Sequence, residues 1–246
     1  MQNDTMSGAD RVQSRTTSVL LLLLIVIFSL VYFFSNINAD LIRAGEARAA
    51  EIAREMLERG NFVLPSLNHV VSGESLTKPP FYHWVLTLTS APLDWPNWAV
   101  RLTSVLASLG AIWMTLLCGS RMFGFRAGVF AALVLSTCIV FLENSSAARM
   151  DIFFSFLILS SIYCFWMAIN SEPGSKWVYG FYLLSGLGVL TKGPIGILFP
   201  ALVAILLAWN NPGTRSWSEL RLGRGILLFL AVVLPWYTLL YITARN

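Results

Sequence analysis

The chain has 246 residues, of which 56% are hydrophobic and 12% charged, and its net charge is +4. Its apolar residues fall in long blocks that no soluble domain of this size needs, which excludes a soluble globular protein. The expected fold class is therefore all-α, a polytopic bundle of transmembrane helices. Its basic residues are scattered among loops instead of forming one patch, so the expected partner is the membrane and nucleic acid is not expected.

Residues 1–16 are polar, carry Arg11 and Arg15, and read as a short cytoplasmic tail. The apolar run 19–34 that follows is long for the core of a cleaved signal peptide, and residues 36–39 make a poor cleavage site. An uncleaved first span with a cytoplasmic N-terminus is expected. Residues 36–97 then form a polar first outer loop with two helical pieces. Across 45–60, Ala49, Ile52, Ala53, Met56 and Leu57 make one apolar stripe. Arg54/Glu58 and Glu55/Arg59 are spaced as i,i+4 pairs, and Gly60 supplies a stop. Such a helix is expected to lie on the membrane surface. The apolar piece 81–93 is too short to span, since its helical length of about 20 Å falls short of the roughly 30 Å hydrocarbon core. It reads as a second interfacial or partly inserted helix, with Trp95 and Trp98 at the boundary.

Further blocks run over about 98–118, 127–142, 152–168, 177–190, 194–209 and 225–242. This arrangement places Arg121 and Arg126, Lys176, and Arg215, Arg221 and Arg224 on the cytoplasmic side, as the positive-inside rule requires. Counting 81–93 as a span would invert all three clusters. The blocks 177–190 and 194–209 are short, and a shallow re-entrant pair is the other reading of them. Cys118, Cys138 and Cys164 lie in apolar blocks without metal-ligand spacing, so they read as buried small hydrophobes.

The same topology puts Asp40, Arg43, Glu46, Arg48, Glu51, Lys78, Arg101, Arg149, Asp151 and Lys192 on the outer side. Arg149, Asp151 and Lys192 abut apolar runs, where ionisable groups usually face a protein cavity or one another. The plainer alternatives are that Asp151 caps its helix and Lys192 snorkels to the headgroups. Glu46 and Arg48, each taken singly, are ordinary charges of an amphipathic helix. Neither His69 nor His83 has a partner at metal-ligand spacing.

The segment GEARAAEIAREMLERGNFVLP, followed by TKPPFYHW, resembles the first outer loop of the bacterial aminoarabinose transferase and protein O-mannosyltransferase families, within the glycosyltransferase C superfamily. The likeness continues through VRLTSVLASLGA, RMFGFRAGVFAALVLSTCIVF, AARMDIFFSFLIL, LGVLTKGPIGILFP and LPWY. It covers residues 40–237 with the landmarks in family order. The typical loop of the aminoarabinose members carries an Asp-Glu pair, then Arg-Tyr-Ala-Glu-Ile-Ala, then Lys-Pro-Pro-Leu-Tyr-Tyr-Trp.

The resemblance implies that a sugar passes, with inversion, from a polyprenyl-phosphate carrier to a lipid or protein acceptor. The expected setting is the periplasmic face of the bacterial inner membrane, in a transmembrane domain over 17–246. Glu46 matches the Glu of the Asp-Glu pair, Lys78 the Lys of Lys-Pro-Pro, Asp151 the acidic residue of the second outer loop, and Lys192 the Lys of Thr-Lys-Gly-Pro. Glu46 and Asp151 are thus nominated as catalytic carboxylates, and Lys78, Lys192, Arg149 and Arg48 as ligands of the carrier phosphate. The resemblance fixes no cofactor with certainty, and a divalent cation held by Glu46 and Asp151 is left open.

Two departures stand out: Gly45 replaces the family Asp, and Ala49 replaces the Tyr after Arg48. Relatives are generally longer, so a truncated reading frame and a short family member are both open. The alternative function is a non-catalytic protein that binds or flips the carrier lipid, or an inactive fragment of such an enzyme. A secondary transporter fits less well, because the charges gather at one membrane face.

Overall fold

The computed structural model describes residues 8–35, 37–41, 44–64, 78–172, 175–210 and 221–245. His69, Arg43 and Arg215 lie outside them. All regular structure among the described residues is helical: α1 (Gly8–Ser35), α2 (Ala44–Arg59), α3 (Phe81–Ser90), α4 (Asn97–Phe123), α5 (Phe125–Thr137), α6 (Ile139–Ser145), α7 (Met150–Asn170), α8 (Trp177–Lys192), α9 (Ile195–Asn210) and α10 (Leu222–Arg245). A single 3₁₀ turn, Ala91–Leu93, extends α3.

Among the described residues, α4, α7 and residues Leu222–Thr243 of α10 are long and apolar enough to cross a membrane. The apolar stretch of α1, Leu20–Ser35, is shorter. The helices α8 and α9 have 16 residues each, about 24 Å of helix against a core of about 30 Å. Gly193 turns the chain between them with φ +78°. A Cβ added at Gly196 would stand 2.2 Å from the backbone of Gly188, so the two helices touch main chain to main chain at a spot only glycine allows. The hydroxyls of Ser161 and Ser185 meet at 2.8 Å to tie α7 to α8.

The block at 127–142 departs from expectation. It is not one continuous span but two helices, α5 and α6, bent by 68°. Around the break the Ser136 and Thr137 hydroxyls both donate to the Leu133 carbonyl at 2.9 Å, and Cys138 takes an extended conformation. Side-chain donors at adjacent positions thus supply an alternative to the helical ladder. Cys138, expected to be buried, is exposed at this corner.

The two helices of the first outer loop also sit deeper than a surface location predicts. On α2 the stripe residues Ala49, Ala53 and Met56 are buried, while Leu57 remains 43% exposed. The stripe covers α3, where Tyr82 and Leu86 are fully buried and the Thr87 hydroxyl donates to the Ala53 carbonyl at 3.1 Å. The expected i,i+4 pairs of α2 form, Arg54 with Glu58 at 2.9 Å on the exposed face and Arg59 with the buried Glu55 at 3.7 Å.

One end of the bundle gathers α2, the start of α4, the start of α7 and the end of α8. The other end holds Arg121 at the end of α4, Lys176 ahead of α8, and Arg221, which donates to the Tyr179 hydroxyl at 3.2 Å. Among the described residues, the two groups of charges separated by the sequence reading therefore lie at opposite ends of the molecule.

Candidate functional site

At the first of these ends lies a cavity of about 420 Å³. Its walls come from three stretches: the first turns of α2 (Gly45, Arg48, Ala49, Ile52), the entry to α3 (Lys78, Tyr82, His83) and the entry to α7 (Ala148, Arg149, Met150, Asp151). Four of the six nominated side chains, Arg48, Lys78, Arg149 and Asp151, line this one space. Lys192 joins it through an ion pair, its Nζ donating to the Asp151 carboxylate and lying 4.9 Å above the Phe154 ring. The pair resolves the alternatives for Asp151 and Lys192: they meet across 41 positions of sequence instead of capping and snorkelling separately.

Glu46 is placed differently. Its side chain is 3% exposed and stands behind the cavity wall, where Oε1 accepts from Arg101 Nε at 3.1 Å and from the Ala148 amide at 2.9 Å. Arg101, 5% exposed, also donates to the carbonyls of Ile37, Ala39 and Asp40. The Glu46–Arg101 pair thereby joins the segment after α1, the start of α2, the start of α4 and the turn ahead of α7. Buried charges are tolerated when paired and hydrogen-bonded in this manner.

Sequence reading set Arg101 among the outer charges but gave it no role. The available signal was its position inside an otherwise apolar helix, where a lone cation needs a buried acceptor. Glu46 and Asp151 each face a cation, and no cluster of three or more metal-ligating side chains occurs among the described residues.

Local sequence explains how the cavity side chains are held. Pro79 and Pro80 are buried, and with fixed φ angles they set Lys78 rigidly at the entry to α3. Ser104 of α4 grips the Arg149 backbone, its Oγ accepting from the Arg149 amide at 2.9 Å and donating to the Arg149 carbonyl at 3.2 Å. The Arg149 guanidinium faces the cavity with a buried Nε that has no partner among the described residues. A Cβ built on Gly45 meets only Arg149 Nη1, at 3.9 Å, so the position has room for a Cβ.

The Tyr82 hydroxyl meets Ser104 Oγ at 3.4 Å, and burial pushes its pKa far above the ordinary phenol value. Two indoles secure the loop that leaves α2, Trp84 Nε1 donating to the Phe62 carbonyl at 2.9 Å and Trp236 Nε1, from α10, to that of Val63 at 3.0 Å.

Residues 77–238, which include the cavity-forming entries to α3 and α7, match the dolichyl-phosphate-mannose-protein mannosyltransferase family. The chain belongs to this family. Curated proteins similar to the chain include the undecaprenyl phosphate-α-4-amino-4-deoxy-L-arabinose arabinosyl transferases of Pseudomonas aeruginosa strain LESB58, 31% identical over 90% of the chain, and of Yersinia enterocolitica, 30% identical over 86%. The chain spans 40% and 38% of their respective lengths.

Among solved structures, ArnT from Cupriavidus metallidurans in the apo state superposes with a TM-score of 0.78 at 26% identity, over 94% of this chain and 43% of its own. The same protein bound to undecaprenyl phosphate gives 0.79 at 25% identity, over 92% and 42%.

Proposed function

We propose that the cavity holds the phosphate of a polyprenyl-phosphate-linked sugar, and that the chain serves the transfer of that sugar, with inversion, to a lipid or protein acceptor. The observation that carries this reading is the convergence of Arg48, Lys78 and Arg149 on one space whose lining carboxylate, Asp151, is already neutralised by Lys192. Breaking a sugar–phosphate bond leaves a growing negative charge on the phosphate, and fixed cations at the edge of hydrocarbon stabilise that charge far more than they would in water. Arg48 and Arg149 offer planar forks for the phosphate oxygens and Lys78 a point charge.

In this arrangement the acceptor oxygen attacks the anomeric carbon on the face opposite the phosphate, Asp151 takes the hydroxyl proton, and the sugar–phosphate bond breaks with its electron pair staying on the carrier phosphate beside Lys78 and Arg48. Glu46 acts through position, holding the Ala148 amide and hence the entry to α7. The relatives' named donor and the neighbour bound to undecaprenyl phosphate support a C55 polyprenyl carrier.

Binding of undecaprenyl phosphate to the purified chain in nanodiscs tests the reading. The lipid phosphate should be retained in preference to undecaprenol, and Lys78→Ala should weaken it by at least about tenfold, the worth of one charge-assisted contact. Equal retention of phosphate and alcohol would refute the proposal. One observation favours a second reading, a carrier-lipid binding protein without chemistry: the carboxylate in the cavity wall is tied to Lys192. Release of labelled sugar from the donor separates the two.

The location proposed is the bacterial inner membrane, with the cavity outside and the basic loops inside. Introduced cysteines report this directly. Lys176→Cys and Arg121→Cys should react with an impermeant maleimide only after permeabilisation, and Lys78→Cys in intact cells; the reverse pattern would invert the topology.

A further inference from the structure

Phosphate binding by Lys78 and Arg48 assigns no task to His83, a titratable side chain of the same cavity. It sits in the first turn of α3, lines the cavity beside those two cations, and is 5% exposed. Its Nδ1 is sealed from solvent and has no hydrogen-bond partner among the described residues.

Every element packed around the imidazole contributes charge or polarity. From α2 comes Arg48, with Glu46 and Glu55 on the buried side of the same helix. The entry turn contributes Lys78, and α3 itself places the Tyr82 ring edge-on at 5.7 Å. The start of α7 adds Arg149 and Asp151. Each carboxylate in this set already faces a cation: Glu46 faces Arg101 of α4, Glu55 faces Arg59, and Asp151 faces Lys192 of α8. Burial, then Lys78 and Arg48, push the imidazole down to about 4, so it is neutral at pH 7.

A bound phosphate reverses this balance. It neutralises the two cations that oppose the imidazolium and sets negative charge within reach of the ring N–H groups, and both effects favour the protonated form. We infer that His83 is a proton-accepting ligand of the carrier phosphate: its ring is neutral in the empty cavity and takes one proton from solvent when a phosphate monoester binds.

This inference rests on the cavity being a phosphate site. It also distinguishes the two forms of the carrier, because the sugar-bearing phosphodiester has one negative charge and the released monoester up to two. The gain in affinity is complete below the free-state value and is lost as pH rises through the raised bound-state value. Between the two it falls by about tenfold per pH unit.

Nuclear magnetic resonance of ¹⁵N-histidine in nanodiscs tests the inference directly. The chain has two histidines, so His69→Gln leaves the His83 signal alone. With undecaprenyl phosphate the imidazole midpoint should move up by at least about one pH unit, and with undecaprenol it should not move. His83→Gln should remove the part of the pH dependence of undecaprenyl phosphate affinity that runs from about pH 4 up to the raised bound-state midpoint, apart from the lipid's own titration.

Bound phosphate with an unmoved midpoint, or a His83→Gln profile equal to the parent's, would overturn the inference and leave the phosphate site standing. Failure of the parent to bind undecaprenyl phosphate at all would overturn both.

Discussion

Replacing Arg101 by methionine is expected to lower the stability of the folded chain by about 3–5 kcal/mol, the range for removing one partner of a buried ion pair. The Glu46 carboxylate would keep the Ala148 amide but lose its cation, and three carbonyls, those of Ile37, Ala39 and Asp40, would lose their donor. Glu46→Leu combined with Arg101→Met should recover part of the loss, because no charge is then stranded, though the carbonyls remain without the guanidinium. Thermal unfolding in nanodiscs, followed by tryptophan fluorescence, measures this. An unchanged midpoint for Arg101→Met would remove the pair from the structural account. Glu46→Gln separates a structural from a catalytic role for Glu46: from its burial, stability should fall before the chemistry does.

The second large effect is expected at Gly45. Because Lys192 ties the Asp151 carboxylate and weakens it as a base, Gly45→Asp should raise transfer by about a hundredfold, the lower end of what a positioned general base contributes. The side chain has somewhere to go, since the Cβ direction opens on Arg149 Nη1 at 3.9 Å. Residue 45 also lies in the first turn of α2, where a carboxylate is favoured by the helix dipole. Both neighbours depress the new carboxyl's pKa. Any stability it adds is therefore present above the ordinary carboxylate range and is lost as pH falls through the lowered value. Sugar release from labelled donor, compared between parent and variant, gives the answer. An unchanged rate would mean that an aspartate at this position is not what the reaction lacks.

Much of the outline was legible because it is written in local pattern. The periodic stripe and charge pairs of α2, its stop at Gly60, and the apolar blocks behind α4, α7 and α10 all depend on residues within a few turns of one another. The gathering of Lys78, Arg149, Asp151 and Lys192 could also be anticipated, since charges at the rim of apolar runs need company.

Glu46 misled because its neighbours in sequence describe an exposed amphipathic helix, whereas its partner lies 55 positions away on α4. The break at Cys138 depends on hydroxyls choosing backbone acceptors, which a count of apolar residues does not register. The depth of α2 and α3 was missed for a related reason: whether an apolar stripe meets lipid or another helix is decided by tertiary packing.

The indole of Trp236 and the carbonyl of Val63 meet across 173 positions of sequence. A chain made at about 5–20 residues per second has emerged through residue 63 roughly 10–35 s before residue 236 exists. Throughout that interval the Val63 carbonyl lacks its partner from α10. The Glu46–Arg101 clasp closes much earlier, 55 positions on. Assembly of this end of the molecule is thus ordered in time: an inner ring set early by charge, then an outer latch on Val63 set late by an indole.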